Sequence, residues 1–286
     1  MAQLALRAPQ QKSTTRTIPQ AFLGVWGLRA SALLYLIILV ALPVFVIAVA
    51  GLRDGWATFW GYITQPVAQS AIWLSVWTAL VMAIINTVMG TLTAFVLVQY
   101  RFPGKNLLNT IIDLPFAIPT LVTGVMLVLL YGPQTVIGSF FEQSLGFRVL
   151  YAPPGIILAL LFLGYPFVIR AVQPVLEKLD LNQEEAAFTL GASSLTTFRR
   201  IIFPAILPAM LTGGILSFAR ALGEFGSLAI VAGNIPQRTQ VATVYIYGQV
   251  EGGNMAAASA VSLVLLAIAL VATLGGDALL RRRTRA

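Results

Sequence analysis

The chain has 286 residues, of which 58% are hydrophobic and only 10% charged, where a soluble domain carries roughly 25% charged residues, so lipid is the expected solvent for most of its surface. Cysteine and histidine are both absent, which removes disulfides, thiolate and imidazole metal ligands, thiol nucleophiles and the commonest general base. The formal net charge of +8 flanks apolar stretches instead of forming one continuous face, which argues for membrane topology and against nucleic acid.

Residues 1–20, rich in Gln, Thr, Arg and Pro, predict a disordered tail. Runs of about 20 apolar residues can cross a bilayer as helices, and the first charge-free run, 30–52, lies between Arg29 and Arg53. It exceeds the roughly 7–15-residue apolar core of a cleaved signal. It is therefore predicted to persist as span 1, although Ala48-Val49-Ala50 mimics a cleavage site. The aromatic piece that follows (Trp56, Phe59, Trp60, Tyr62, then Pro66) suits the membrane surface. Span 2 is placed at 70–98, and span 3 at 114–131, opened by Pro115 and Pro119. Span 4, at 154–169, is short and carries Pro166; spans 5 and 6 are placed at 205–231 and 255–274. The expected fold class is an all-α integral membrane protein of about six transmembrane helices. A barrel would alternate in segments of about 10 residues, which these runs do not.

Basic residues concentrate on the cytoplasmic side of a membrane protein. Placing the amino terminus there puts Arg7, Lys12, Arg16, Arg29, Arg101, Lys105, Arg170, Lys178, Arg199, Arg200, Arg281, Arg282, Arg283 and Arg285 inside. Only Arg53, Arg148 and Arg238 fall outside, and Arg220 lies within a span. Both termini are thus predicted to be cytoplasmic. The expected organisation is a basic tail at 1–29, a membrane domain at 30–274 with a long cytoplasmic loop at 171–204, and a second basic tail at 275–286.

That loop has helical grammar. Asn182 can cap a helix, Gln183 and Glu184 occupy its first turn, and Glu185 can reach back as in a capping box. Ala186, Ala187 and Leu190 fall on one face, and Gly191 supplies a stop. Ser193 can begin a second short helix through Leu195, Phe198 and Ile201 to Pro204. Two readings stay open on periodicity alone: a surface helix resting on its own protein, or an apolar knob inserted into a partner's groove.

The spacing Glu185-Ala186-Ala187, three residues, Gly191, nine residues, Ile201, one residue, Phe203-Pro204 resembles the EAA loop of ABC-importer permeases, with Phe203 in place of the pattern's leucine. The resemblance extends to Tyr100-Arg101-Phe102-Pro103-Gly104-Lys105, Asp113-Leu114-Pro115-Phe116-Ala117, Val172-Gln173-Pro174-Val175-Leu176-Glu177, Arg220-Ala221-Leu222-Gly223-Glu224-Phe225-Gly226 and Ala232-Gly233-Asn234-Ile235. These are similar to the CysT (CysU) family of sulfate/thiosulfate permease subunits, whose relatives include the sulfate-partner and molybdate permeases. The resemblance implies a type I ABC importer transmembrane domain. It also implies that Glu184, Glu185, Ala186, Ala187, Leu190 and Gly191 form the interface with a separate ATPase. Implied partners are a second related permease subunit (CysW-like), two ATP-binding subunits (CysA-like), an extracytoplasmic sulfate-binding protein and membrane lipid.

The chain has no G-x-x-x-x-G-K-[ST] loop; Gly104-Lys105 is followed by Asn106 and lacks the earlier glycine. No cofactor is expected on this chain, and ATP is expected on a partner subunit. Arg220 and Glu224, four residues apart in span 5, can face each other, since a lone charge at a span's centre costs roughly 2.5–3.5 kcal/mol. The pair can be a satisfied lock on helix packing, or Arg220 can meet a passing oxyanion; the former expectation leaves selectivity to the external binding protein. Gly213, Gly214, Gly223 and Gly226 offer close approach to neighbouring helices. Residues 234–254, with Val241, Val244, Tyr245 and Tyr247, read either as a segment dipping into the membrane or as a packed outer loop. The rival readings are a gradient-driven carrier using Glu224, weakened by the absence of histidine and of interrupted inverted repeats, and a non-transporting membrane scaffold whose loop recruits a cytosolic protein.

Overall fold

Prolines accompany two π turns and one sharp bend among the helices of this chain. The computed structural model describes residues 22–179 and 181–283, with the side chains of 22–25, 181, 182, 184 and 281–283 outside the description. The tail expected at 1–20 and the side chains of the carboxy-terminal bases Arg281, Arg282, Arg283 and Arg285 thus lie outside the described residues. Among the described residues every regular element is helical.

The chain divides into two units, 1–46 and 47–286. In the first, α1 (Phe22–Leu36) runs through a π-helical turn (Ile37–Ala41) into α2 (Leu42–Leu52). The turn ends just before Pro43, which has no N–H and whose ring would strike the carbonyl four residues back. Leu42 N–H reaches the Ile37 carbonyl instead, and this wider turn absorbs the misfit. Leu33, Ile37 and Leu39 are exposed, as a lipid-facing span requires.

In the second unit, the aromatic piece after the first span folds as a short helix, α3 (Trp56–Thr64), with Trp56 stacked on Phe59 at 5.3 Å. The core is made by α4 (Pro66–Gln99), α8 (Pro153–Glu177) and α11 (Phe203–Leu222). Glycines let these helices meet at backbone distance. A Cβ on Gly90 would lie 2.9 Å from Val168 Cβ, and one on Gly213 would lie 2.8 Å from Val168 Cα. Met82, Ile156, Leu160, Val168, Ile169 and Ile206 are fully buried around them. Asn86 Nδ2 donates to the Leu161 carbonyl at 3.3 Å, and Ser217 Oγ to the Gly164 carbonyl at 3.1 Å, so these two buried side chains are satisfied, whereas Thr91 Oγ1 of α4 is buried with no hydrogen-bond partner among the described residues.

Several spans differ from expectation in extent or continuity. Span 3 is a bent pair, α5 (Lys105–Ala117) and α6 (Thr120–Tyr131), meeting at 111°. Pro119 forces Ile118 into an extended conformation (φ −85°, ψ 126°), which ends α5. Span 4 is longer than 154–169: α8 runs 25 residues to Glu177 with Pro166 and Pro174 inside it. Span 5 starts earlier and ends earlier than 205–231, since one helix runs from Ser194 to Leu222 and a separate short helix, α12 (Gly226–Val231), follows. At its start, α10 (Ser194–Thr197) continues into α11 through a second π turn (Phe198–Ile202) placed just before Pro204, so the proline does not stop it. The last span, α14, covers Met255–Arg283 and carries helix past residue 274. Among the described residues five helices are long and apolar enough to cross a membrane, or six with the bent pair counted as one span, in line with the expected six.

Candidate functional site

The loop between α8 and the 194–222 helix folds as α9 (Leu181–Thr189). Because α9 begins at Leu181, Asn182 lies within the helix and does not cap it; its side chain and that of Glu184 are outside the described residues. The predicted stop is present. Gly191 has φ +82°, Gly191 N–H donates to the Phe188 carbonyl (3.0 Å) and Ala192 N–H to the Ala187 carbonyl (2.9 Å), the two hydrogen bonds of a Schellman ending. Ser193 then caps α10, its hydroxyl accepting from Thr196 N–H.

Glu185 and Ala186 are exposed, Ala187 is half-buried, and Leu190 is 88% exposed. Sequence periodicity missed two further members of this surface, Phe188 at 49% and Leu195 at 65% exposure. Among the described residues these apolar side chains stand out uncovered, Ala186 and Leu190 on one face of α9 and Phe188 on the opposite one at 3.6 residues per turn. This favours the partner-groove reading over a helix resting on its own protein.

A polar clamp ties the α8 end that leads into α9 to α5. Arg170 Nε and Nη2 donate to the two carboxylate oxygens of Asp113 at 2.8 and 2.6 Å. Its Nη1 donates to Asn109 Oδ1 and Gln173 Oε1, and Nη2 also reaches the Asn109 carbonyl. Gln173 in turn donates to Glu177. Such a bidentate fork fixes orientation as well as distance. Arg170 and Asp113 were legible only as charges at span edges. Arg170→Met, which keeps length but strands Asp113, is expected to lower stability by about 1–2 kcal/mol, read as a fall in thermal midpoint of the detergent-solubilised protein.

The Arg220–Glu224 pair forms, with Nη1 3.0 Å from Oε2. It stands at the end of a helix, since α11 stops at Leu222 and residues 223–225 are non-helical. Glu224 is buried, and its Oε1 accepts from Ser227 N–H (3.1 Å) and the Ser227 hydroxyl (3.0 Å), capping α12. The Glu224 carbonyl accepts from the Thr243 hydroxyl at 2.7 Å. Of the predicted close-approach glycines, Gly213, Gly214 and Gly226 meet neighbouring helices, whereas Gly223 faces open space.

Thr243 belongs to α13 (Ala242–Glu251), the helix within residues 234–254. Ala242, Val244 and Tyr245 are buried, and Ala242 N–H donates to Ser75 Oγ of α4 at 2.8 Å, so this stretch is packed on the core. The Tyr247 hydroxyl donates to Glu251 at 2.5 Å, and that hydrogen bond, then the carboxylate's charge, hold the phenol above the usual tyrosine range. Among the described residues no cluster of three or more acidic side chains is placed to hold a metal.

The described residues form an apolar helical bundle with an exposed apolar loop leading into a long helix and a half-buried ion pair at the end of that helix. Residues 86–285 match the family described as the binding-protein-dependent transport system inner membrane component, and the chain belongs to that family. It is 39% identical over 259 residues to the sulfate transport system permease protein CysT of Salmonella typhimurium, covering 91% of this chain and 92% of that protein. It is also 39% identical to CysT of Synechocystis over 84% of this chain and 83% of that one. The fold is that of a type I ABC importer transmembrane domain. A bacterial alginate ABC transporter in complex with its periplasmic protein superposes with a TM-score of 0.75 at 19% identity, over 92% of this chain and 95% of that one. The MetNI methionine ABC transporter superposes with a TM-score of 0.57 at 19% identity, over 76% and 95%. The protein is therefore an inner-membrane transport subunit without a catalytic role of its own.

Proposed function

We propose that this chain is a permease subunit of an ATP-driven importer that moves sulfate and thiosulfate into the cytoplasm by alternating access. The observation that carries the energetic part is the exposed apolar surface of Ala186 and Leu190 on one face of α9, just before the 29-residue helix Ser194–Leu222. An ATPase gripping that surface would move a rod about 43 Å long at 1.5 Å per residue. The substrate follows from the CysT relatives, which are sulfate permeases.

In this reading Glu184, Glu185, Ala186, Ala187, Leu190 and Gly191 face the ATPase, and both termini and the 171–204 loop are cytoplasmic. The assembly comprises this chain, a CysW-like second permease, two CysA-like ATP-binding subunits and an extracytoplasmic sulfate-binding protein. The test is uptake of radiolabelled sulfate by the purified complex in liposomes, with ATP on the CysA-like side and the binding protein on the other. Uptake that needs both, runs without an ion gradient and is competed by thiosulfate supports the reading. Uptake driven by a gradient without ATP overturns the mechanism, and competition by molybdate alone overturns the substrate.

A further inference from the structure

We infer that the Arg220 guanidinium is the contact through which a tetrahedral oxyanion passes along the transport route, with Glu224 serving as its fixed mount; this rests on the transport reading above. The two halves of the pair are unequal. The Glu224 side chain is 2% exposed, and that of Arg220 is 40% exposed. Both carboxylate oxygens are engaged, one by Arg220 and the other by the Ser227 N–H and hydroxyl, while Thr243 holds the backbone carbonyl. Glu224 therefore cannot swing out to meet a ligand.

Arg220 is held at one atom only. A guanidinium carries five N–H donors, and among the described residues Nη1 facing Glu224 is its single polar contact. The remaining donors lie on the exposed edge. A charged edge turned to hydrocarbon is costly, so the free donors of Arg220 call for a polar surrounding, whereas the unwound backbone at 223–225 is held by protein, with Glu224 buried and its carbonyl bonded to Thr243. Gly223, which meets only the Arg220 carbonyl at 3.8 Å, leaves the space beside it open.

The neighbouring start of α12 offers no alternative to an anion, because Glu224 already occupies its Ser227 N–H. A dianion arriving here meets a forked donor whose charge is largely balanced by the carboxylate behind it. The resulting contact is weak, as a conducting site must be if its ion is to leave. Affinity is then left to the external binding protein, and Arg220 supplies passage.

Phenylglyoxal modification of Arg220 in the purified wild-type complex, followed by peptide mass spectrometry, tests direct contact. Sulfate should slow the modification relative to chloride at matched ionic strength; equal rates overturn the inference. Arg220→Gln combined with Glu224→Gln removes the charge without stranding its partner. It should still assemble while sulfate uptake falls about tenfold or more, the expected size for losing charge-assisted donors. A double variant that transports normally also overturns the inference. If the wild-type complex itself imports no sulfate with ATP, the transport reading fails; if it does and Arg220 shows neither protection nor effect, only the role of Arg220 fails.

Discussion

Replacing Ala187 with arginine is expected to leave the protein in the membrane at wild-type abundance while abolishing ATP-driven uptake. Ala187 is half-buried on α9, between exposed Ala186 and highly exposed Leu190, and belongs to no buried core. The arginine side chain therefore finds solvent in the isolated subunit, and the fold tolerates it. At a closed interface with an ATPase the same side chain keeps the backbones apart and traps an unpaired charge, at a cost of about 2–5 kcal/mol. Each 1.4 kcal/mol is tenfold in affinity, so co-purification of the ATPase should fall by roughly two orders of magnitude together with uptake. Normal uptake and normal co-purification in this variant would remove α9 from the coupling pathway. Because insertion and transport are measured separately, a folding defect cannot masquerade as uncoupling.

Gly213→Leu should do the opposite and destroy the bundle before transport is reached. A Cβ at Gly213 would lie 2.8 Å from Val168 Cα, 3.1 Å from Ala171 Cβ and 3.3 Å from the Phe167 carbonyl. Two of those three atoms are backbone, so no rotamer change relieves the contact and α8 must move away from α11. Overpacking of this kind costs about 1–3 kcal/mol or more, and leucine adds three further carbons beyond the Cβ. The variant should lose its monodisperse peak in detergent chromatography and its thermal midpoint should drop sharply. Gly61→Ala on α3, where nothing lies within 4 Å, is the matched control and should be neutral or slightly stabilising. If both variants behave alike, close approach at Gly213 is not what holds the two helices together.

Local signals were legible and distant ones were not. Gly191 announces the end of α9 because a left-handed stop needs only the glycine and the turn before it. Pro119 was visible too, but as the opening of a span; that it bends one span into two helices at 111° depends on Ile118 turning extended. The length of α8 was hidden by Arg170, a charge that reads as an edge until Asp113 and Asn109, on a different helix, are seen to satisfy it. The break after Leu222 carries no proline. Part of what holds it is non-local, since Thr243 grips the Glu224 carbonyl from 19 residues away while Glu224 captures Ser227. Phe188 and Leu195 were missed as surface residues because hydrophobic periodicity assigns such side chains to a core, and only the folded chain shows them exposed among the described residues.

The π turn at Phe198–Ile202 sets a rotational phase. Each residue added to or removed from a helix turns everything beyond it by roughly 100°, at 3.6 residues per turn. Phe198 packs edge-on against Phe95 of α4 at 5.9 Å on one side of the turn, and Ile206 is buried on the other. Both ends are thereby keyed to the bundle. Excising one residue between them would restore ordinary winding and swing α9 about a quarter revolution around the axis of the long helix, without altering any side chain on α9. The compass bearing of α9 is thus written in the count of residues in a single turn.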